Sequence, residues 1–220
     1  MKLTKIILGS ILISSFSGCI TSKESLSYIA LGDSYTIGES VETSLNFPYQ
    51  LVDSLSLKGK NFASPVIIAR TGWRTDQLMD AINSSSLQKE YDLVTLLIGV
   101  NNEFQGKSIN QYENDFTMLC KKALELTRNK KQNLYILSIP DYGFTPYGKT
   151  TMNQISERIN VFNASNKRIS DSLGLNYVEI TDISRKGLEQ PDLVADDGLH
   201  PSAKMYALWV REILKKVKVK

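Results

Sequence analysis

Residues 92–99, DLVTLLIG, are almost continuously apolar, and this run constrains the fold more than any other feature. A strand that is apolar throughout, without alternation, is typical of a central parallel strand covered on both faces. Parallel strands need long crossover connections, which are usually helices. The run therefore predicts a layered α/β protein in which helices connect the strands.

Strand-like and helix-like segments alternate on both sides of this run. The other strand-like segments are 28–32, 65–70, 133–140 and 176–181, and the helix-like segments are 47–58, 75–83, 109–128, 154–174 and 202–217. Strands that alternate with helices predict a five-stranded parallel sheet, and right-handed crossovers place helices on both of its faces. The expected fold class is a three-layer α/β/α doubly wound sandwich.

Composition indicates one globular domain and excludes several classes of protein. Hydrophobic residues make up 42% of the 220 residues and charged residues 22%, which is typical of a globular chain. The net charge of +3 is too small to indicate a nucleic-acid partner. With one histidine and two cysteines, a zinc site is not expected. Cys120 lies at helical spacing within its segment and is expected to be a small buried residue.

The amino terminus differs from the rest of the chain. Two lysines precede the apolar stretch IILGSILIS, and FSGC follows it. This order is typical of a bacterial export signal, and the stretch is shorter than the roughly 20 apolar residues of a spanning helix. Gly18 followed by Cys19 resembles a lipobox and favours a lipoprotein over plain secretion. We therefore expect a signal peptide over 1–18, a tether over 19–27 from a lipidated Cys19, and a membrane-anchored location in the cell envelope.

Two polar stretches near opposite ends of the chain carry groups that could do chemistry. Ser34, in IALGDSYTIG, lies just past the first predicted strand, at the edge of the sheet where such folds bind ligands. His200, the only histidine, follows the fifth predicted strand in ADDGLHPS, and Asp197 precedes it, with Asp196 beside it. A serine nucleophile needs a base, and the base needs an orienting carboxylate. The pattern predicts Ser34 as nucleophile, His200 as base and Asp197 as the acid.

Attack by a serine on a carbonyl creates an oxyanion, which needs fixed donors. Gly72, in RTGWRT, and Asn101, in IGVNNEF, follow the second and third predicted strands. Glycine lets a backbone N–H approach a ligand closely, and asparagine offers an amide donor. We expect an oxyanion hole built from Ser34, Gly72 and Asn101, the structural alternatives being a turn glycine and a capping asparagine.

The blocks GDSYTIG, RTGW, GVNN and DGLHPS together resemble the SGNH, or GDSL-like, hydrolases. They occur in the order of that family and span nearly all of 28–220, which the resemblance identifies as an SGNH hydrolase domain with a flavodoxin-like fold. It implies hydrolysis of carboxylic esters through an acyl-serine intermediate, without a metal or cofactor. The substrate is expected to be a small-molecule or carbohydrate ester. Asn102 stands where the family often has aspartate.

The resemblance leaves several functions open. A lysophospholipase, a thioesterase or a carbohydrate O-deacetylase would use the same residues. A non-catalytic, surface-anchored binding protein is the alternative from another class, and the intact Ser34, Asp197 and His200 argue against it. A nucleotide binder is disfavoured because the chain has no Gly-x-Gly-x-x-Gly motif. Aromatic residues after the fourth predicted strand suit either an acyl chain or a sugar face; they are Tyr142, Phe144 and Tyr147.

Overall fold

The computed structural model describes residues 25–88 and 90–218. Its strands are β1 (Tyr28–Asp33), β2 (Val66–Arg70), β3 (Leu93–Leu97), β4 (Leu134–Leu137) and β5 (Asn176–Val178). All pairings are parallel, and the order across the sheet is β2-β1-β3-β4-β5. The chain order reverses between β1 and β3, so the crevice beyond their carboxyl ends is the position where doubly wound sheets bind ligands.

Helices cover both faces of the sheet, which confirms the predicted sandwich. The longer helices are α2 (Phe47–Ser56), α3 (Thr75–Ser84), α5 (Ile109–Glu125), α6 (Met152–Leu173) and α8 (Ala203–Lys216). Three short helices accompany them: α1 (Ser34–Ile37), α4 (Val100–Phe104) and α7 (Thr181–Ser184). Helix α2 packs on α8, while α5 contacts both α3 and α6. The short helices were not predicted, because four or five residues are too few to show a helical period.

The core lies along the central strand. All five residues of β3 are buried, as the apolar run predicts. Two buried hydroxyls in this layer satisfy each other, because Tyr28 Oη lies 2.8 Å from Thr95 Oγ1. Cys120 in α5 is fully buried, and burial raises the pKa of its thiol well above the ordinary value. The thiol is therefore held in the protonated form, which is a poor nucleophile.

The chain reaches the sheet at the amino end of β1. Leu26 pairs with Phe62, and the Asp92 carboxylate accepts from the Ser27 N–H at 2.8 Å and from its hydroxyl at 3.0 Å. Contacts with the domain thus begin two residues before the predicted boundary at 28. The predicted signal peptide, Cys19 and most of the predicted tether lie outside the described residues. Within 25–88 and 90–218, no helix has the length and apolar character needed to cross a bilayer.

Candidate active site

Ser34 directly follows the last residue of β1 and begins α1. Asp33 caps the helix by accepting a hydrogen bond from the Tyr35 N–H at 3.0 Å. Packing requires the glycine before it, because a Cβ on Gly32 would collide with the Leu97 carbonyl oxygen of β3. The stretch IALGDSYTIG is therefore a strand that ends in a one-turn helix, with Ser34 at the carboxyl edge of the sheet.

His200 and Asp197 share one tight loop that precedes α8. An antiparallel pairing of Val194 with Pro201 closes the base of this loop. One carboxylate oxygen of Asp197, Oδ1, accepts from the backbone N–H groups of Leu199 and His200, each at 2.9 Å. An aspartate that binds backbone N–H groups two and three residues ahead stabilises the turn and fixes its own carboxylate.

The fold brings the serine, the histidine and the aspartate into contact. His200 Nε2 lies 3.0 Å from Ser34 Oγ, and His200 Nδ1 lies 2.6 Å from Asp197 Oδ2. Partial burial opposes ionisation of Asp197, but the hydrogen bonds it accepts outweigh burial and hold its pKa well below the ordinary value. An ionised carboxylate only accepts, so Nδ1 donates to it, and Nε2 is left to accept the proton of Ser34. The neighbouring carboxylate, Asp196, is exposed.

Gly72 and Asn101 line one cavity together with Ser34. Gly72 has a φ of +81°, and a Cβ at this position would meet no atom within 4 Å. The backbone there requires glycine, and the space in front of it is open. The amide nitrogen of Asn101 donates to the Trp73 carbonyl at 3.1 Å and to Asp33 Oδ2 at 3.4 Å. To donate to a substrate oxygen, the Asn101 amide must therefore give up one of these two contacts. The contact with Asp33 is the longer, so it would be given up first.

Asp33 belongs to this site although the sequence analysis did not single it out. Its side chain is almost fully buried, with one oxygen on the Tyr35 N–H and the other facing the Asn101 amide. Burial raises the pKa of Asp33 to about 7, against the effect of these hydrogen bonds. A charge that changes near neutral pH therefore lies beside Ser34. In the sequence, the residue is indistinguishable from any aspartate that caps a helix.

Asn102 joins α4 to the start of α3. Its Oδ1 accepts from the Thr75 N–H at 3.1 Å, and its Nδ2 donates to Thr75 Oγ1 at 2.8 Å. An aspartate could accept the first bond but could not donate the second. The asparagine therefore fits a structural role here, in a buried position next to Asn101.

The cavity beside Ser34 has a volume of about 240 Å³ and is mostly apolar. None of the described residues that line it is Asp, Glu, Lys or Arg. Tyr142 and Tyr147 line it, as expected for aromatic residues near the substrate, whereas Phe144 does not. Phe104 also lines it and was missed. Its spacing of three residues from Asn101 was the available signal, because that spacing puts both on one face of a helix.

An ion pair with the buried carboxylate of Glu103 supports the aromatic wall of the cavity, which Phe104, Tyr142 and Tyr147 form. The Tyr142 hydroxyl donates to Glu103 Oε2 at 2.9 Å, and Arg158 pairs with the other oxygen of this carboxylate. The rings of Phe104 and Tyr142 meet edge to face with centroids 6.0 Å apart. Tyr147 is joined to the loop of His200, because its N–H donates to the Gly198 carbonyl at 3.0 Å.

Larger grooves lie away from these residues. Two of them, of about 620 and 580 Å³, lie beside β5 and are lined largely by charged and polar side chains of α6 and α8. None of the predicted site residues lines either groove. Volume alone therefore does not identify the site, whereas the smaller cavity combines a mostly apolar lining with the convergent polar groups of Ser34, Asn101 and His200.

Comparison with known proteins supports one family. The sequence model of a protein family, described as the GDSL-like Lipase/Acylhydrolase family, matches residues 30–208 of the chain. The crystal structure of TesA superposes with a TM-score of 0.70 at 15% identity, covering 87% of this chain and 98% of TesA. An acetyl xylan esterase from Geobacillus stearothermophilus gives 0.67 at 16% identity, covering 89% and 95%. A lipase/acylhydrolase from Enterococcus faecalis gives 0.65 at 20% identity, covering 89% and 98%.

At these identities the solved structures show a shared fold and no more. They include both an acetyl esterase and a lipase/acylhydrolase, so the fold does not choose a substrate. No curated protein sequence matches the chain.

Proposed function

The chain belongs to the GDSL-like lipase/acylhydrolase family and is an ester-bond hydrolase, and we propose that it is a serine esterase whose catalytic triad is Ser34, His200 and Asp197. The observation that carries this proposal is the unbroken pair of contacts, 3.0 Å from Ser34 Oγ to His200 Nε2 and 2.6 Å from His200 Nδ1 to Asp197 Oδ2. Nucleophile, base and orienting group are each within hydrogen-bond reach.

In the proposed reaction, Ser34 Oγ attacks the ester carbonyl carbon while its proton passes to His200 Nε2. The imidazolium that forms is stabilised by the ionised Asp197. His200 then protonates the departing alcohol oxygen, and the acyl group stays on Ser34. A water molecule, deprotonated by the same imidazole, releases the acid and restores the serine.

The oxyanion would lie at the carboxyl edge of β1. The N–H of Ser34 belongs to the first turn of α1, so it has no acceptor within the helix. Gly72 presents its backbone to the cavity without a side chain. Asn101 would join these donors by giving up its longer contact with Asp33, which makes the asparagine amide the adjustable member of the oxyanion hole.

The lining of the cavity favours an apolar acyl group over acetyl. A water molecule occupies about 30 Å³ in the liquid, so 240 Å³ corresponds to about eight groups of that size. The walls offer aromatic rings and aliphatic side chains, and none of the lining residues within the described part of the chain is charged. We therefore propose short to medium acyl esters as the preferred substrates, ahead of carbohydrate acetates.

Labelling with a fluorophosphonate tests the nucleophile without knowledge of the substrate. The wild-type protein should be labelled on Ser34, and hydrolysis of a short-chain p-nitrophenyl ester should disappear in Ser34→Ala and in His200→Ala with folding intact. The rate should be lost at acid pH, because only the neutral imidazole is a base. An unlabelled, inactive but folded wild-type protein would identify a non-catalytic binding protein instead.

Acyl-chain profiling tests the substrate class. Each methylene buried in the cavity contributes about 0.8 kcal/mol, so kcat/KM should rise roughly fourfold per methylene until the cavity is full. Phe104→Ala should flatten this rise and leave acetyl turnover nearly unchanged. Phe144→Ala is the matched control, because Phe144 does not line the cavity. Fastest turnover of acetyl esters, with no effect of Phe104→Ala, would favour a carbohydrate O-deacetylase.

We also propose that the protein is exported and anchored to the membrane through lipidated Cys19. The support is the order of charge, apolar stretch and Gly18–Cys19 in the sequence. The wild-type protein should partition with membranes and carry a lipid mass on its amino-terminal cysteine, and Cys19→Ser should release it. Equal membrane association of both proteins would contradict the proposal.

A further inference from the structure

The turn that follows α1 contacts Asp197, the carboxylate proposed to orient His200. Ser40 lies on this turn, and its hydroxyl donates to Asp197 Oδ2 at 2.7 Å. The same oxygen lies 2.6 Å from His200 Nδ1, so the hydroxyl and the imidazole share one carboxylate oxygen. The other oxygen of Asp197 is occupied by two backbone N–H groups. Ser40 is therefore the donor that competes with the imidazole for Oδ2.

The backbone of Ser40 has a conformation that serine seldom adopts. Its φ is +65°, in the left-handed region. Among the described residues, the only other non-glycine positions with positive φ are Arg128 and Asn129, which follow the end of α5. Glycine would adopt this conformation without strain. A serine kept at a strained position favours a role for its side chain.

The same turn also connects the nucleophile with the loop of Gly72. The N–H groups of Gly38 and Glu39 both donate to the Ser34 carbonyl at 3.1 Å, so the turn continues directly from the nucleophile. The Glu39 carboxylate accepts a hydrogen bond from the hydroxyl of Thr71, the neighbour of Gly72. One short turn thus contacts the nucleophile, the catalytic acid and the loop proposed to bind the oxyanion.

We propose that Ser40 is a positioning residue that holds Asp197 Oδ2 and sets how strongly this oxygen attracts the imidazole of His200, a proposal that rests on the function proposed above. A hydroxyl that donates to a carboxylate takes up part of its negative charge. Without this hydroxyl, the full charge of Oδ2 acts on His200, and the ring holds its proton to a higher pH. Ser40 therefore lowers the affinity of the imidazole for its second proton, relative to a protein that lacks this hydroxyl.

Other ionisable groups also face the imidazole from neighbouring elements. Tyr35 of α1 stacks at a tilt, with its ring centroid 5.3 Å from that of His200. Tyr142 lines the same cavity as His200, while Asp33, Glu39 and Asp196 adjoin Ser34, Ser40 and Asp197 in the chain. All of them are unchanged when only Ser40 is substituted, so a difference between variants reports on Ser40.

Three substitutions separate the hydroxyl from the backbone strain. Ser40→Ala removes the hydroxyl and keeps the strain, whereas Ser40→Gly removes both. Ser40→Thr keeps the hydroxyl and adds strain, because a β-branched residue resists positive φ. Thermal stability should therefore follow the strain, highest for Ser40→Gly and lowest for Ser40→Thr. The titration midpoint of His200 should instead depend on the hydroxyl. Ser40→Thr should therefore resemble the wild-type protein, and Ser40→Gly should resemble Ser40→Ala.

The experiment follows the NMR chemical shifts of the His200 ring protons as the pH is changed. Their assignment is unambiguous because the chain has one histidine. Ser40→Ala and Ser40→Gly should both move the titration midpoint upward by about 0.5 pH unit, a threefold change in free base at acid pH. The acid limb of kcat/KM should move equally, with KM little changed, since Ser40 does not line the cavity. Ser84→Ala, which removes an exposed hydroxyl bonded at 2.8 Å to the Asp80 carbonyl, should leave the midpoint unchanged.

An unchanged or lowered midpoint in Ser40→Ala and Ser40→Gly would overturn the proposal. So would a loss of rate that is uniform across pH and follows thermal stability, because that is the effect of a merely structural residue. The NMR readout does not require turnover. If the wild-type protein hydrolyses no ester, the proposed function fails while the titration still decides the role of Ser40.

Discussion

Asp33 carries a charge whose state affects both stability and the site. Burial raises its pKa to about 7, above the ordinary value of ~3.9 that applies in the unfolded chain. Between these values the native protein keeps a proton that the unfolded chain has lost. The contribution of Asp33 to stability is therefore greatest below pH ~4. As the pH rises from there towards 7, the free energy of unfolding falls by up to ~1.4 kcal/mol per pH unit.

Asp33→Asn should remove this decline, because the amide still accepts from the Tyr35 N–H but cannot ionise. Urea unfolding measures the free energy of unfolding of both proteins at pH 5 and pH 8. The value for the variant, relative to the wild-type protein, should be higher at pH 8 than at pH 5. Hydrolysis should fall, since the new amide nitrogen would face the donor of Asn101. Stability differences that are equal at both pH values would contradict the raised pKa.

Glu103 is the buried anchor of the aromatic wall. Glu103→Ala should lower the free energy of unfolding by about 1–3 kcal/mol, chiefly because the Tyr142 hydroxyl loses its acceptor. Arg158 is half exposed and can be hydrated again, so it adds less. Glu103→Gln is the matched variant, because it keeps an acceptor for Tyr142. The preference for longer acyl chains should weaken in Glu103→Ala more than in Glu103→Gln, as measured by the ratio of octanoyl to acetyl turnover.

At the scale of elements, the junction between β3 and α4 leaves little room. Gly99 has a φ of +130°, and a Cβ there would lie 2.7 Å from Ile139 and 2.8 Å from Tyr112. Any shift of this junction moves α4, which carries Asn101 and Phe104. The position thus couples the packing of the sheet to Asn101 of the proposed oxyanion hole and to the wall of the cavity.

Gly99→Ala and Gly106→Ala compare a crowded position, at a φ that only glycine readily adopts, with an open position in the ordinary left-handed region. Gly106 also has positive φ, +64°, but a Cβ there would meet nothing within 4 Å. Gly106→Ala should cost about 1 kcal/mol and leave hydrolysis intact. Gly99→Ala should cost a further 1–3 kcal/mol or so from overpacking and lower kcat/KM. Equal losses in thermal unfolding and in kinetics would show that crowding at Gly99 is unimportant.

The elements show where prediction from sequence succeeds and where it stops. The apolar run at 92–99 predicts the central strand, because a strand buried on both faces leaves a continuous signal. Ser34 and His200 were predicted as partners because each lies in a recognisable block of sequence. Ser40 was not, because its contact with Asp197 spans 157 residues and depends on one strained turn. Such contacts leave no local pattern.

At the scale of the whole molecule, the domain begins before its first strand. A chain that starts at Ser25 should unfold at the same temperature as the full-length protein and hydrolyse soluble esters equally well. A chain that starts at Tyr28 loses the pairing of Leu26 with Phe62 and the hydrogen bonds from Ser27 to Asp92.

This second chain should lose about 1–2 kcal/mol of stability, and each kcal/mol lowers the melting temperature of a domain of this size by roughly 2–4 °C. Differential scanning calorimetry of the two shortened chains makes the comparison. Identical melting temperatures would place the boundary at 28, where the sequence predicted it.

The direction of β1 has a consequence for a protein held at a surface. The chain meets the sheet at one end of this strand and presents Ser34 at the other, about 20 Å away for six residues. Cys19 and Ser25 are six positions apart in the chain, a reach of at most roughly 20 Å, so a lipid on Cys19 would act as a short tether. The mouth of the cavity would then look outward from the bilayer, and the enzyme would meet dissolved esters arriving from the aqueous side rather than draw acyl chains up from the leaflet beneath it.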